Sequence, residues 1–557
     1  MNISGLTMPF FARLKINFFS QSTFLRQLLL IMLFAGLLSL AFLNHAYYFV
    51  TWFAFVPLLF AVEKTTLAKT YLLGLIAGFA LFAIGTYWIV DFIMLSKGYS
   101  SSKNVLLACI YWLYCAHLIV FLVIVFKSLK KHSKIHEFVL FPLVVVIFTS
   151  SYPMLFSMRL GDTQIQFYAA LQAIDLVGVD GLDGIIALVN VMIFRCLANR
   201  QIDPSLRLFK KLPWGLALSV VCIWFIYGGI AHSSWEKNVS SWSVLKVGLV
   251  QPNEIPKIGK RVLYPGYGQV YPPEMEMTQR LSTLGADIIV WPEAQRKGFL
   301  DNSHIRTAYQ NSVQSMDMGL LFQDTQQLRD PLSGKLKHQY NTAVMLNDDG
   351  KQIGSYQKMK RIPFGEYIPF VNDGSQLKKW LDAFWGDFVN VLKKGDHHQV
   401  FVHSKVNIIP LICYETTFPS FVGQAVSEAT AKINPSLGTL LIALSNDGWF
   451  GSTHQPYQHI MVSALRAVEN RLPFVHAVNN GPSIVVLPSG KIIFTSDFQQ
   501  AGGYLVDVPV SNKAGGSFYS RHANLFIYAL YISLAFIVCW VLLQWFVLRV
   551  LCNQNTN

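Results

Sequence analysis

A chain of 557 residues with 53% hydrophobic and only 14% charged residues is too apolar for an ordinary soluble protein, in which about a quarter of residues carry charge. The formal net charge of +14 does not point to nucleic acid: many of the cations lie in short loops between apolar runs, where they set membrane orientation, and no nucleic-acid-binding motif is present. The seven cysteines form no C-x-x-C pair and no metal-ligand spacing, which excludes a zinc box of the usual kind.

The apolar residues concentrate in the first 231 positions and in a block at 525–549. Runs near 27–43, 47–62, 70–95, 104–126, 137–156, 183–198 and 213–231 approach the ~20 residues that a spanning helix needs. The first two are short and almost contiguous, as in a tight hairpin. The sixth is the weakest, being short and preceded by Asp175, Asp180 and Asp183. The reading is a membrane domain over 1–231 with about seven transmembrane helices, and a C-terminal transmembrane helix over 525–549. No small-residue cleavage pattern follows Arg13, Lys15 and Arg26, so the first run reads as a retained anchor.

Cations recur in the N-terminal tail and in alternate loops: Lys64 and Lys69, then Lys127, Lys130, Lys131 and Lys134, then Arg200, Arg207, Lys210 and Lys211. The positive-inside rule makes that side cytoplasmic. Seven crossings would then deliver the following polar domain to the outer side, and the last helix would return the C-terminus to the cytoplasm.

Residues 242–510 alternate strand and helix patterns. VLKVGLVQPN (244–253), ADIIVWPEA (286–294), MGLLFQD (318–324), NTAVMLND (341–348), KVNIIPLICYE (405–415), TLLIALSNDGWF (439–450) and FVHAVNN (474–480) contain short apolar runs bounded by Gly, Pro or Asn, as buried strands do. EMEMTQRLSTL and YQHIMVSALRAVENR have helical period. This is an α/β domain.

Three segments of it carry reactive side chains. IIVWPEA ends on Glu293, YQKMKRIPFGEYIP holds Lys358 and Glu366, and IIPLICYETTFP holds Cys413, Tyr414 and Glu415. A thiol is a good nucleophile once ionised, a carboxylate can take its proton and return it to a leaving group, and an ammonium can stabilise an oxyanion. Together they would make an acyl-transfer site needing no cofactor and no metal. Each has a plainer reading as well. A lone cysteine is usually a small core residue, Lys358 stands in a basic cluster with Lys360 and Arg361, and Glu366 has cations nearby to pair with. None of the histidines shows a legible partner.

In combination the motifs are more specific. WPE, YxKxxxxPFGEYIP, CYE, SNDGWFG, PYQH and RAVENRLPFVHAVNNG, with RLGDTQIQFYAALQAIDLVGVDGLDG at 159–184, resemble the nitrilase superfamily, and within it the membrane-bound apolipoprotein N-acyltransferase family. The resemblance covers most of the chain and includes the seven-plus-one helix layout. It implies a polytopic α-helical membrane domain plus an α/β nitrilase-like α-β-β-α sandwich over 242–510.

It also implies that Glu293 is the general base, Lys358 the oxyanion-stabilising lysine and Cys413 the nucleophile. Glu366, Tyr414 and Glu415 would support them, and Asn446, Asp447, Trp449 and Phe450 would form a loop near the active site. The implied reaction moves a fatty acyl chain from a phospholipid to the diacylglyceryl-cysteine amine of a bacterial apolipoprotein. The implied setting is the inner membrane, with the catalytic domain periplasmic. The sequence departs from the family pattern at two places. Ala294 and Gln295 follow WPE where a small hydroxyl residue is expected, and Arg361 stands where an apolar residue is expected. These bear on substrate preference and activity level more than on fold.

LKKWLDAFWGDFVNVLKK (377–394) carries Trp380, Phe384, Trp385 and Phe388 between lysine pairs. Such amphipathic aromatic segments often lie in a membrane interface. It reads equally as a lid over the site or as a helix packed on the sandwich. A membrane-anchored amidase or nitrilase with the same triad, an inactive lipoprotein-binding homologue and a transporter remain as alternatives. Eight helices exceed what an anchored hydrolase requires, the complete Glu–Lys–Cys set argues against an inactive homologue, and few charges fall mid-helix as a transporter would need.

Overall fold

The computed structural model describes residues 21–198, 207–256, 265–369, 371, 375–385, 392–512 and 515–554. Arg13, Lys15, Arg200 and Phe388, which the sequence reading used, lie outside these residues. By length and composition, seven described helices could cross a membrane: Thr23–Leu43, His45–Val62, Leu67–Gly85, Ser101–His132, Val179–Ala198, Leu212–Val239 and Leu525–Val547.

The expected run at 137–156 forms a shorter helix, Glu137–Ser151, of 15 residues. Two other runs are broken. The second consists of a 3-10 helix, His45–Trp52, followed by Phe55–Val62. The third stops at Gly85 and resumes as Ile89–Lys97. At that break the Thr86 hydroxyl donates to Phe82 O at 2.7 Å, a side-chain bond that competes with continuation of the helix.

One end of the bundle is tied together by charge. Arg195 pairs with Glu63 at 2.9 Å and with Glu137, and Lys130 reaches Glu137 at 2.9 Å. The Lys127 ammonium donates to Val62 O at 2.7 Å and to Thr65 Oγ1 at 2.9 Å. The ends of four apolar segments therefore meet on one side, and Lys127 and Lys130 of one cation-rich loop meet with them.

The polar domain is built on two six-stranded sheets. The first contains β1 (Ser243–Gln251), β2 (Ile288–Val290), β3 (Gly319–Arg329), β4 (Leu336–Leu346), β5 (Gln352–Gln357) and β12 (Gly502–Val510), in the order β12-β1-β2-β3-β4-β5. The second contains β6 (Phe401–Val402), β7 (Asn407–Ile412), β8 (Thr439–Ser445), β9 (Phe474–Val478), β10 (Ile484–Val486) and β11 (Ile492–Thr495), in the order β11-β10-β9-β8-β7-β6. In each sheet three central strands run parallel, β1-β2-β3 and β7-β8-β9. Parallel strands covered on both faces read as unbroken apolar runs, which is why β7 and β8 are buried at every position.

The sheets meet through Val247, Leu249, Ile288, Val290, Ile408, Ile412, Ile442 and Leu444. Helices Pro273–Thr283 and Ser303–Met316 cover the outside of the first sheet with Met275, Leu281, Ile305 and Tyr309. Helices Pro419–Ala429 and Gln455–Asn470 cover the second, giving the order helix, sheet, sheet, helix. On this side the core does not stop at the helices: Phe421, Val422, Ile460 and Leu465 belong to one apolar cluster with Phe34, Phe55, Phe141 and Ile186 of the bundle.

The segment 159–184 forms much of the polar seam between the two. Arg471 donates to Asp175 at 2.9 Å, to Gln172 Oε1 at 2.8 Å and to Gln172 O at 2.9 Å. The Val179 N–H donates to Glu469 at 3.0 Å. Elsewhere along the seam, Trp88 Nε1 donates to Gln458 Oε1 at 2.9 Å, and Gln458 Nε2 to Gly85 O at 2.9 Å. Gly85 and Trp88 flank the break in the third run, so the break exposes a carbonyl and an indole for the catalytic domain to bind.

Candidate active site

Three strand ends bring the candidate residues together. β2 leads through Trp291 and Pro292 to Glu293, β5 ends one residue before Lys358, and β7 ends one residue before Cys413. In α/β folds, strand ends hold side chains rigidly while the loops beyond leave them accessible. Trp291 is buried and donates from Nε1 to Thr278 at 2.7 Å, which fixes the base of the Glu293 turn.

Lys358 is 1% exposed and its ammonium donates to Glu366 Oε1 at 2.8 Å, with Glu293 Oε1 at 3.9 Å. The Cys413 thiol lies close enough to Glu293 and Lys358 for both charges to bear on it. Asn341 Nδ2 donates to the same carboxylate at 2.5 Å, and the Lys358 N–H donates to Asn341 O at 2.8 Å. One asparagine on β4 thus spaces the carboxylate from the ammonium.

The electrostatics follow from burial and crowding. Burial pushes the Cys413 thiol up, and the Glu293 carboxylate adds to this while Lys358 opposes it. Burial also raises Glu293, reinforced by Glu366 and opposed by Lys358. A carboxylate made more basic in this way suits proton transfer from a thiol. For Lys358, burial alone would lower the ammonium, but Glu293 and Glu366 outweigh it and hold the charge firmly. The result is a neutral thiol against a strengthened base and a fixed cation.

Cys413 has φ 48°. A non-glycine residue in the left-handed region costs about 1–2 kcal/mol and persists where neighbours over-determine it. Glu415 does much of that. Buried, it accepts from Tyr356 OH at 2.7 Å, Met359 N at 2.6 Å, Lys360 N at 3.1 Å and Ile412 N at 2.8 Å. Its carboxylate therefore ties the Lys358 segment to the Cys413 turn. Burial, opposed by these donors, raises it to about 7. Glu366 Oε2 accepts from Ile362 N at 2.8 Å, which closes the PFGE turn and holds the other oxygen toward Lys358.

Of the remaining candidates, the aromatic ones pack on the membrane domain. Tyr414 donates its hydroxyl to Leu155 O and sets its ring edge-on to Phe156 at 5.6 Å. Phe450 stacks on Phe92 at 5.1 Å and meets Trp88 edge-on at 5.3 Å, with Trp449 packed against the same cluster. Asn446 caps the Asp447–Phe450 turn by accepting from Gly448 N at 3.3 Å. Asp447 accepts from His459 Nδ1 at 2.9 Å.

Trp380, Phe384 and Trp385 lie on the helix Gln376–Trp385, where Trp380 is 58% exposed. At the two departures from the family pattern, Arg361 donates to Leu392 O at 2.5 Å and places its guanidinium 4.4 Å over Tyr367, and Gln295 Nε2 donates to Ile255 O at 3.1 Å. Among the described residues, no group of three or more His, Cys, Asp or Glu could hold a metal.

Comparison with known proteins agrees with this layout. Residues 34–192 match the apolipoprotein N-acyltransferase N-terminal domain, and residues 269–512 match the carbon–nitrogen hydrolase domain. The chain belongs to the apolipoprotein N-acyltransferase family. Within that family, the protein from Geobacter metallireducens is 27% identical over 90% of this chain and 93% of its own. That from Rickettsia prowazekii is 26% identical over 66% and 68%, and that from Agrobacterium fabrum 32% identical over 43% of each chain. Among solved structures, an amidase from Nesterenkonia sp. is 18% identical, covering 51% of this chain and 95% of its own, with TM-score 0.35.

Sequence reading missed Asn341, Thr416 and His459. Asn341 had a weak signal, a polar residue just before the apolar run AVML within β4. His459 had none, because its partners are 12 and 43 positions away.

Proposed function

We propose that this chain moves a fatty acyl group from a phospholipid to the N-terminal amine of a diacylglyceryl-cysteine on a bacterial lipoprotein. Glu293 takes the thiol proton, and the Cys413 sulfur attacks the ester carbonyl of the lipid. The tetrahedral oxyanion collapses beside the Lys358 ammonium. The C–O bond breaks, Glu293 returns the proton to the leaving alkoxide, and a lysophospholipid departs. The amine of the acceptor then attacks the Cys413 thioester, Glu293 takes its proton, and the sulfur leaves and is reprotonated. This is covalent catalysis in two half-reactions. Lys358 never needs to lose its proton, in keeping with two carboxylates holding its charge.

The observation that carries this reading is the position of the triad. The Cys413 turn is bonded and packed directly onto the membrane bundle through Tyr414, Leu155 and Phe156, where an ester at the bilayer surface can reach it. A hydrolase of small soluble amides gains nothing from that contact. The charge ties described above support an orientation. Glu63, Lys127, Lys130 and Arg195 gather at the end of the bundle where the cation-rich loops lie, and the catalytic domain contacts Gly85, Trp88 and Leu155 at other helix ends. The cation-rich end is cytoplasmic, and the catalytic domain is periplasmic in the inner membrane. Trp380, Phe384 and Trp385 then form a lid at the bilayer surface.

The test is purified protein in detergent, a phospholipid with a labelled acyl chain, and a diacylglyceryl-cysteine peptide. Label transfer to the peptide amine supports the reading. Turnover of a small amide with no transfer from lipid would replace it with the anchored hydrolase.

A further inference from the structure

The nucleophile's own carbonyl is held by a chain of side chains that the reaction above does not use. Thr416 Oγ1 donates to Cys413 O at 3.1 Å. The same oxygen lies 2.9 Å from His459 Nε2 and accepts from Ser463 Oγ at 3.1 Å. On its other side, His459 Nδ1 is 2.9 and 3.0 Å from the two oxygens of Asp447. Thr416, His459, Ser463 and Asp447 are all buried.

Counting protons decides what this chain can do. A carboxylate only accepts, so Asp447 fixes a proton on His459 Nδ1. A threonine hydroxyl has one proton to give. If that proton goes to Cys413 O, Nε2 must donate to Thr416, and His459 carries both protons. If Nε2 is bare, it takes the threonine proton, and the Cys413 carbonyl loses this bond. The two arrangements share one set of heavy-atom positions and differ by one proton on His459.

We propose that Asp447, His459 and Thr416 form a relay that orients the nucleophile, with His459 a positioning residue whose protonation state sets the hydrogen bond to Cys413 O. Because a peptide unit is planar, fixing that carbonyl also fixes the plane that leads from Cys413 to Tyr414. The relay thereby helps hold the strained φ of Cys413 and the direction of its thiol toward Glu293. The relay is complete when His459 carries both ring protons and is lost when Nε2 is bare. The groups facing the ring are Asp447 from the turn after β8, Thr416 from the nucleophile turn, and His476 of β9, edge-on at 4.8 Å. Asp162 of the membrane domain, with Gln455 and Gln458 of the ring's own helix, lines the cavity on its remaining side. Burial and His459 itself keep His476 uncharged, so it adds no competing charge beside the ring.

This inference rests on Cys413 being the nucleophile, but its test does not depend on acyl transfer. The rate of Cys413 alkylation by iodoacetamide is followed by peptide mass from pH 5 to 9, in full-length protein checked for folding by thermal midpoint. The near-isosteric Thr416→Val should slow alkylation at least fivefold at pH 6, and the ratio to wild type should approach one by pH 9. Thr416→Ser, which keeps the hydroxyl, should stay within twofold. His459→Gln should remove the pH dependence of that ratio, and adding Thr416→Val to it should cost little more. A Thr416→Val effect that is under twofold throughout, or constant with pH, or equal in Thr416→Ser, overturns the relay. Should wild type take no acyl group from lipid while these ratios hold, acyl transfer fails and the relay stands.

Discussion

At the scale of single residues, the site trades stability for reactivity. Cys413 sits in a left-handed conformation, and Glu293, Lys358 and Glu366 crowd three charges into a largely buried space. Glu415 is the residue whose removal separates these effects. Three backbone N–H groups and a phenol point at its two oxygens, and an amide at that position must turn a donor toward at least one of them. Leaving a buried donor unpaired costs about 1–3 kcal/mol. Glu415→Gln should therefore lower the thermal midpoint and slow acylation more than it weakens lipid binding, seen as a fall in kcat with little change in KM.

The carboxyl is raised to about 7 in the fold from about 4.3 in the unfolded chain. Its contribution to stability is full below the unfolded value and is lost as pH rises through about 7. Wild type should lose thermal stability relative to Glu415→Gln between about pH 5 and 7.5; parallel midpoints across that range would refute this assignment.

At the scale of elements, much was legible and the exceptions have physical causes. β7 and β8 are read directly from sequence because both faces of a central parallel strand are covered, which leaves an unbroken apolar run. The WPE and CYE turns were found because their reactive residues adjoin apolar runs, and the PFGE turn because its motif resembles that of the family. The division of 70–95 into two helices was not legible. Its residues are mostly apolar, and the break depends on Thr86 bonding its own helix and on Gly85 O and Trp88 meeting Gln458 some 370 positions away in sequence. The His459 relay was hidden for the same reason: a histidine partner set is visible in sequence only when the partners are near.

Contacts of the Asp447–Phe450 turn give a test at this scale. Phe450 is 3% exposed, between Phe92, Trp88 and Phe156. Truncating such a ring costs about 3–5 kcal/mol. Phe450→Ala should lower both the thermal midpoint and the acylation rate, while Phe450→Leu recovers most of each; equal loss in the two would show that aromatic packing is not what holds this turn. The lid proposal predicts that Trp380→Ala with Trp385→Ala slows reaction on bilayer lipid but not on a short-chain ester in solution, and unchanged rates on both would remove it.

At the scale of the whole molecule, the two domains share one apolar cluster and one polar seam. The 159–184 segment stood out in sequence without a role. In the structure it receives Arg471, whose guanidinium meets Asp175, Gln172 and Pro488 O. Removing one partner of a buried pair leaves an uncompensated charge at a cost of about 3–5 kcal/mol. Arg471→Met should raise amide hydrogen exchange across 172–179 and lower the thermal midpoint, whereas protection equal to wild type would show that the seam does not depend on this contact. Such a seam keeps the thiol at a fixed height relative to the bundle, which two lipid-anchored substrates would require.

The central claim is that Cys413 carries the acyl group between two lipids. It is tested most directly by intact-protein mass after incubation with phospholipid in detergent, for wild type and Cys413→Ala. The account predicts a gain of one acyl chain in wild type only, labile to hydroxylamine and discharged by a diacylglyceryl-cysteine peptide. Folded wild-type protein that takes no acyl group from any phospholipid, or a Cys413→Ala variant that takes it equally, would contradict it.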